Sequence, residues 1–321
     1  MRFWLFACVL CLAAIPVPSL VVQEQALRYQ TSTPAVLERS TADLSRFRVV
    51  DDRWPVVRLH LPGKQGELID TRRADNTTYF YRLREGDQVS ETVRVDTPDR
   101  PLPPLVRPDI LIDKVNYYLE VRDAGVPVKR YPISMGPKAG RKVCLDRSST
   151  PEGRYRITGL QYESNYYVAY DLNYPTAVDR ARYQFFRKHG LLPEPNRPIG
   201  GSIQIHGQGD WYEWNWNLSS NWTWGCVAMR DRDLDEFLAQ PGLGKGTPVT
   251  IVGRELTRED LVAIDQADRR AVARALQVAL GPSARCDSEW LGRFQQDHGL
   301  PITCQPDART QRALGLISAG P

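Results

Sequence analysis

Alternating apolar and polar positions dominate the first third of the chain. Glycine- or proline-containing turn clusters separate these runs. Because side chains of a strand point alternately to its two faces, the pattern between 47 and 95 predicts strands in a small β-rich region, residues 23–96. The first part of this region, 23–45, is expected to be a linker or a loose helix. The alternating runs are 47–50, 56–61, 78–83 and 91–95.

The middle of the chain follows a stiff connection and is again rich in strand-like runs. Prolines crowd the segment 97–108, which predicts an extended linker. From residue 109 to residue 254 short β-branched runs recur between turn residues. These runs predict a mainly β domain in this region.

One helix is expected within this mainly β domain, and residues 181–189 are expected to form either another short helix or a loop. Leu234, Phe237 and Leu238 recur at helical spacing and share one side. Asp231 precedes them in the position of an N-cap, and Pro241 ends the pattern.

Residues 255–321 carry helical periodicity instead of alternation. The segment 270–281 has apolar residues every four positions and ends in glycine. Two further helical patterns cover 290–301 and 307–314. Together they predict a small C-terminal three-helix module.

The first 22 residues have the composition of a secretory leader. Arg2 precedes an apolar run, which Pro16 and Pro18 interrupt before it reaches the ~20 residues of a membrane span. We therefore expect export to the periplasm or cell envelope. No stable membrane span is expected once the leader is removed.

Export into an oxidising compartment makes the cysteines informative. Cys286 and Cys304 flank one compact segment and are the pair expected to form a disulfide. Cys144 stays open as a free thiol or as the partner of Cys226 in an inactive form. Of the six cysteines, two lie in the leader, and the four that remain after its removal allow three connectivities. Spacing does not choose among them.

Composition narrows the class of function. The chain has 321 residues, enough for two or three domains, and a net charge of +4. So small a charge, without a basic cluster, gives no support to nucleic-acid binding. The four histidines are scattered and show no ligand spacing, so neither a metal nor another cofactor is expected.

The residues with the clearest chemistry lie between positions 203 and 229. His206 ends a β-branched run, and Cys226 follows Gly225 twenty positions later. A thiolate is the nucleophile of cysteine acyl transfer and needs a base within reach. We therefore predict Cys226 as the nucleophile and His206 as the base, with the backbone amides of Gly225 and Cys226 forming an oxyanion hole.

The same residues resemble a known signature. His206, sixteen intervening residues and Thr223-Trp224-Gly225-Cys226 resemble the active-site pattern of the YkuD-type L,D-transpeptidases. Segments 131–136, 149–157 and 246–252 are similar to further strands and turns of that family. The resemblance implies a β-sandwich or barrel for the strand-rich domain, here placed at 109–254, and it leans toward the YafK-like subgroup.

Two positions depart from the signature. Trp224 stands where the family usually has a second histidine, and Ala228 stands where many members carry arginine. An indole donates one hydrogen bond but cannot accept a proton. His206 is therefore expected to act as the base alone, with His189 as the alternative.

Tryptophans are crowded between the histidine and the cysteine. Such a density in a mostly polar loop predicts a wall that stacks on substrate. The alternative is a loop held together by its own indoles. The predicted substrate-binding residues are Gly207, Trp211, Trp222, Thr223 and Trp224.

The resemblance also implies a function and its partners. An exported L,D-transpeptidase would form an acyl-enzyme at Cys226 with a peptidoglycan stem peptide and pass the acyl group to a second stem or an acceptor protein. One alternative is a hydrolase of the same family that cleaves peptidoglycan or protein–peptidoglycan amide bonds. Another is a non-catalytic peptidoglycan-binding protein, because the C-terminal helices resemble a peptidoglycan-binding module in which Cys304 replaces a common glycine.

Overall fold

A computed structural model describes most of the chain. The described residues are 18–23, 26–47, 51, 53–61, 63–146, 148–209 and 218–318. Residues 1–17 of the predicted leader lie outside these ranges, as does Trp211. Within the described ranges, no helix combines the length and the apolar character needed to cross a bilayer.

Two antiparallel sheets form the N-terminal region. The first comprises β1 (Ser19–Gln23), β2 (Ala26–Gln30) and β5 (Gln65–Ile69). The second comprises β3 (Ala35–Ser40), β4 (Val56–Leu61), β6 (Thr78–Glu85), β7 (Gln88–Val89) and β8 (Val93–Asp96). A single 3-10 turn at Leu44–Arg46 follows β3. The small β-rich region predicted before residue 97 is confirmed. The expectation of a linker or a loose helix in its first part is wrong, because β2 and β3 lie there and pair with later strands.

The alternation along β6 corresponds to two chemically different faces. Tyr79, Tyr81 and Leu83 point to one side and are buried in the apolar core of this region. Arg82 points to the other side, where its Nε donates to Glu38 Oε2 at 2.8 Å. The period of two in the sequence therefore separates an apolar layer from a buried ion pair.

An eight-stranded mixed sheet forms the middle of the molecule, as predicted for a mainly β domain. Its strands are β9 (Pro108–Asp113), β10 (Tyr118–Asp123), β11 (Val126–Pro132), β12 (Gly153–Ser164), β13 (Tyr167–Leu172), β14 (Gln204–His206), β15 (Val227–Ala228) and β16 (Pro248–Val252). The strand order is β11-β10-β9-β16-β12-β13-β14-β15. The pairs β9–β16 and β14–β15 are parallel, and the other neighbours are antiparallel.

Two helices pack on this sheet, α1 (Ala177–Lys188) and α2 (Asp231–Leu238). The apolar side predicted for α2 is buried, with the ring of Phe237 edge-on to Tyr131 at 5.2 Å. The predicted cap is wrong: Arg230 is the N-cap and Asp231 is the first helical residue. Asp231 instead accepts a hydrogen bond from the backbone N–H of Gln208 at 2.6 Å, because the segment after β14 approaches the start of α2.

Four helices occupy the C-terminal region: α3 (Arg258–Gln266), α4 (Arg269–Leu280), α5 (Ser288–Asp297) and α6 (Ala308–Ala313). The last three correspond to the predicted helices, and α3 precedes them. Helix α5 packs on α1 of the middle domain. Gly292 permits this approach, because a Cβ there would lie 2.9 Å from the ring of Phe185 and from Cys304 Sγ.

The four cysteines among the described residues are free thiols in this structure. The disulfide between Cys286 and Cys304 therefore stays a prediction. Cys304 is buried and has a φ of +56°. Glycine adopts this left-handed conformation without strain. The backbone here therefore explains why glycine suits this position in similar modules.

A buried ion pair joins three segments at the ends of the neighbouring central strands β9, β16 and β12. Lys114 Nζ, just after β9, donates to Glu152 Oε1 at 2.9 Å and to the carbonyl of Thr150 at 2.8 Å. Glu152 Oε2 in turn accepts from the backbone N–H of Leu256 at 2.8 Å. Since both side chains are buried, each charge depends on the other for its solvation.

We expect Lys114→Met to lower the free energy of unfolding by about 3–5 kcal/mol, because it leaves the Glu152 carboxylate buried and unpaired. Urea denaturation followed by circular dichroism measures this loss. Lys188→Met is the matched control, since it breaks the exposed pair with Glu289 and should cost less than about 1 kcal/mol. Equal losses in the two variants would contradict the assignment.

Candidate active site

His206 lies at the end of β14 and is only 2% exposed. Its Nδ1 is 2.6 Å from the carbonyl oxygen of Gly207. A carbonyl oxygen can only accept a hydrogen bond, so Nδ1 carries the proton and Nε2 keeps its lone pair. The rings of Tyr166 and Trp222 enclose the imidazole at centroid distances of 4.6 and 5.7 Å.

Burial lowers the pKa of His206 to about 4, against a smaller opposite effect of its hydrogen bond to Gly207. A charged imidazolium is poorly solvated in this aromatic enclosure. At neutral pH His206 is therefore neutral, with Nε2 unprotonated. This is the protonation state that a general base requires.

Cys226 lies directly before β15, which runs parallel to β14. The register pairs Ile205 with Val227 and His206 with Ala228. Residues two positions apart on a strand face the same side, so this register brings Cys226 beside Gln204 and onto the side of the sheet that carries His206. The nucleophile and the base predicted from the sequence thus come from adjacent, directly paired segments.

The Cys226 thiol is half-buried, and its Sγ donates to the carbonyl of Ser202 at 3.4 Å. Burial raises the pKa of Cys226, and the charge of Asp171 adds to this effect. The backbone amide of Gln204 and the charge of Lys142 act in the opposite direction. These shifts favour a protonated thiol and a neutral imidazole at neutral pH, and each group lies within hydrogen-bond distance of a backbone carbonyl.

Gly225 is required by the backbone of the turn before the nucleophile. Its φ is +119°, and a Cβ there would lie 2.5 Å from the carbonyl oxygen of Ser149. The Gly225 N–H donates to Thr223 Oγ1 at a long 3.3 Å, and Thr223 Oγ1 donates to the Cys226 carbonyl at 2.7 Å. Thr223 thus shapes the turn from a buried position, while the Gly225 amide keeps only a weak internal partner.

The predicted substrate-binding residues divide into two groups. Gly207 is buried, and a side chain there would collide with Asp231, so Gly207, like Thr223, serves the packing of the site. Trp222 contacts the base, and its Nε1 has no hydrogen-bond partner among the described residues. Trp224 is 67% exposed beside the nucleophile turn. Trp222 therefore lies against His206, and Trp224 lies at the surface beside the turn. Trp211 lies outside the described residues.

The alternative base, His189, lies elsewhere in the fold. It is the C-cap of α1, and its ring packs on Phe185 at 4.3 Å. Its contacts are therefore those of a helix end. Sequence reasoning missed Tyr166, which encloses the imidazole, and Ser202, whose carbonyl accepts from the thiol, because neither belongs to a recognisable motif.

Comparison with known proteins identifies the family of this region. Residues 107–251 match the family model of the YkuD L,D-transpeptidase catalytic domain. The chain contains a YkuD domain. The resemblance seen in the sequence is thereby confirmed for the family and its mainly β fold, whereas the YafK-like subgroup stays a prediction.

Several solved structures are similar to the chain. The L,D-transpeptidase of Xylanimonas cellulosilytica (residues 123–326) is 15% identical, with 48% of this chain and 64% of that one covered and a TM-score of 0.29. The helical cell shape determining protein Pgp2 of Campylobacter jejuni is 21% identical, with 52% and 58% covered and a TM-score of 0.36. Bd1075 of Bdellovibrio bacteriovorus is 22% identical, with 53% and 60% covered and a TM-score of 0.31.

In these comparisons this chain spans less than two thirds of each of these three structures. None of the proteins of curated function gives a significant match.

Burial of the neutral His206 should make stability depend on pH. Its folded pKa of about 4 lies below the unfolded value of 6.5, so between these values the unfolded chain binds a proton that the folded chain excludes. This stabilisation is present above pH 6.5 and is lost as the pH falls through 4. From pH 7 to pH 4, wild type should lose about 3 kcal/mol more unfolding free energy than His206→Gln.

Urea denaturation at a series of pH values measures this difference. His60→Gln is the matched control, because His60 is exposed on β4, and it should retain the wild-type pH dependence. Parallel stability curves for wild type and His206→Gln would contradict a buried neutral imidazole.

Gly225→Ala should reduce any turnover that depends on Cys226 by about 100-fold or more, because relief of the clash with Ser149 displaces the backbone amides of the turn before Cys226. Gly244→Ala is the matched control, since nothing lies within 4 Å of a Cβ there. Turnover is measured by chromatography of the products. Wild-type turnover in Gly225→Ala would show that the turn has no role in stabilising the reaction.

Proposed function

We propose that the protein is an exported cysteine L,D-transpeptidase that acts on peptidoglycan stem peptides through an acyl-enzyme at Cys226. The observation that supports the proposal is the parallel pairing of β14 with β15, whose register puts the segments of Cys226 and His206 side by side. The Nδ1 of His206 is held by the Gly207 carbonyl, which leaves Nε2 for the thiol proton. The match of residues 107–251 to the YkuD domain supports the substrate class.

The reaction follows from these two groups. Nε2 of His206 takes the proton of the Cys226 thiol, and the thiolate attacks the carbonyl carbon that precedes a D-residue. The oxyanion that forms faces the amides of the Gly225–Cys226 turn. The imidazolium then gives its proton to the leaving amine, and a thioester remains on Cys226.

The second half of the reaction uses the same imidazole. An amine of a second stem, or of an acceptor protein, loses a proton to His206 Nε2 as it attacks the thioester carbonyl. The new amide leaves, and the proton returns to the Cys226 sulfur. Because burial lowers the pKa of His206 and raises that of Cys226, proton transfer from thiol to imidazole is uphill in the resting site. The low pKa of the imidazolium favours the later protonation of the amine.

The other parts of the chain fit an envelope protein. The leader-like composition before residue 22 supports export. The C-terminal helices, docked through α5 on α1, supply a second surface for peptidoglycan close to the catalytic domain. In an oxidising envelope the proposed Cys286–Cys304 disulfide would close this module, while Cys226 stays reduced.

Purified protein and isolated muropeptides test the proposal, with products analysed by mass spectrometry. Wild type should form cross-linked or amine-exchanged products, and Cys226→Ala should lose turnover by at least about 1,000-fold. Cys144→Ala is the matched control, because it removes another free thiol and should retain turnover. Full turnover in Cys226→Ala would end the proposal.

The same measurement separates the alternatives. Release of stem peptide without any cross-linked or amine-exchanged product would show that water resolves the acyl-enzyme and that the protein is a hydrolase. Absence of turnover together with failure of a carbapenem to label Cys226 would leave a peptidoglycan-binding protein without catalysis.

A further inference from the structure

A buried ammonium group lies beside the nucleophile turn. Lys142 is 1% exposed, and its Nζ lies 3.4 Å from the point that a Cβ on Gly225 would occupy. Gly225 directly precedes Cys226 in the chain. Lysine is almost never fully buried unless its charge serves a partner, so this position requires an explanation.

The carboxylate next to Lys142 neutralises it only in part. Asp146 Oδ1 is 3.3 Å from Lys142 Nζ, longer than the ~2.7–2.9 Å of a strong charged hydrogen bond. Asp146 also accepts from the backbone N–H of Ser148 at 3.2 Å and of Ser149 at 3.1 Å, and from the Ser149 hydroxyl. Its negative charge is therefore shared with the turn that precedes β12.

The backbone of Lys142 is held in place from two sides. Its N–H donates to the carbonyl of Thr150 at 3.4 Å, and its carbonyl accepts from the guanidinium of Arg182 on α1. Arg182 is itself 4.0 Å from Asp179. The ammonium is thus fixed in advance, which is the condition under which a charge stabilises a reacting group without reorganisation.

Among the described residues, neither His206 nor Trp224 supplies positive charge to the thiol at neutral pH. His206 is neutral because its pKa is about 4, and Trp224 carries no charge. Asp171 on β13 raises the pKa of Cys226, whereas Lys142 lowers it. The thiolate that the reaction needs would therefore form in a buried site whose favourable charge comes from Lys142.

We propose that the fixed ammonium group of Lys142 stabilises, through its positive charge, the Cys226 thiolate and the oxyanion that forms at the adjacent turn. The thiol proton goes to His206 Nε2, and Lys142 neither gives nor takes a proton. The inference rests on the proposed function only in taking Cys226 as the nucleophile.

Alkylation of Cys226 by iodoacetamide tests the role, because the thiolate is the reactive form. The rate is measured against pH in the full chain without muropeptide, and peptide mass mapping resolves Cys226 from Cys144. Lys142→Met should move the midpoint upward by about one pH unit. Lys142→Arg keeps the charge and should stay close to wild type. Lys138→Met removes an exposed charge four positions earlier and is the matched control.

Asp146→Asn should shift the alkylation midpoint in the opposite direction, and this test does not require that Lys142→Met folds. It removes the anion that partly neutralises Lys142 while keeping acceptor oxygen for the serines, so the midpoint should move downward. A purely structural ion pair predicts no such opposite shifts. An unchanged midpoint in folded Lys142→Met, or an upward shift in Asp146→Asn, would overturn the inference.

The two proposals fail separately in these measurements. If the variants shift the alkylation midpoint as expected but the wild type does not turn over muropeptides, the transpeptidase assignment is refuted and the role of Lys142 stands. If the wild type turns over muropeptides but Lys142→Met has the wild-type alkylation profile, the role of Lys142 is refuted and the transpeptidase assignment stands.

Discussion

The parallel pairing of β14 with β15 is the constraint on which the site depends. Two short strands, separated by twenty residues of chain, meet at the edge of the sheet in a register that aligns His206 with Ala228. A slip by one residue would turn every side chain of β15 to the other face. The register is secured from the next strand as well, where Ala169 of β13 pairs with His206. Cys226 and His206 share one face for this reason.

Desolvation then decides the chemistry of the paired groups. Burial disfavours both charged forms, so the imidazole stays neutral and the thiol stays protonated at rest. In such a site the imidazole is free to accept a proton, but the free energy needed to form the thiolate is raised. Fixed charge and backbone amides at the Gly225 turn can offset that cost only if they are held rigidly. Three features of the structure lie at this turn: the glycine at position 225, the Thr223 hydroxyl and the buried Lys142.

The flanking regions share side chains with the middle domain instead of forming separate bodies. Tyr118 of β10 belongs to the apolar core of the N-terminal region. Arg39 of β3 donates to the carbonyl of Asn116 at 3.0 Å, just before β10. At the other end, Gly292 of α5 lies against Phe185 of α1. Contacts of this kind anchor both flanking regions on the middle domain.

Local patterns in the sequence were enough to predict much of this protein. Alternation and periodicity predicted the β-rich regions and the C-terminal helices, because side-chain period is a local property. The resemblance of the segment from His206 to Cys226 to a known signature predicted the family, which the match of residues 107–251 confirms. It also predicted a nucleophile and a base, and these stay predictions. Tertiary structure alone decided what surrounds them: Tyr166 against the imidazole, the Ser202 carbonyl at the thiol, and Lys142 beneath the turn. These neighbours lie on distant segments, and the burial that shifts the pKa values of His206 and Cys226 exists only after those segments have packed together.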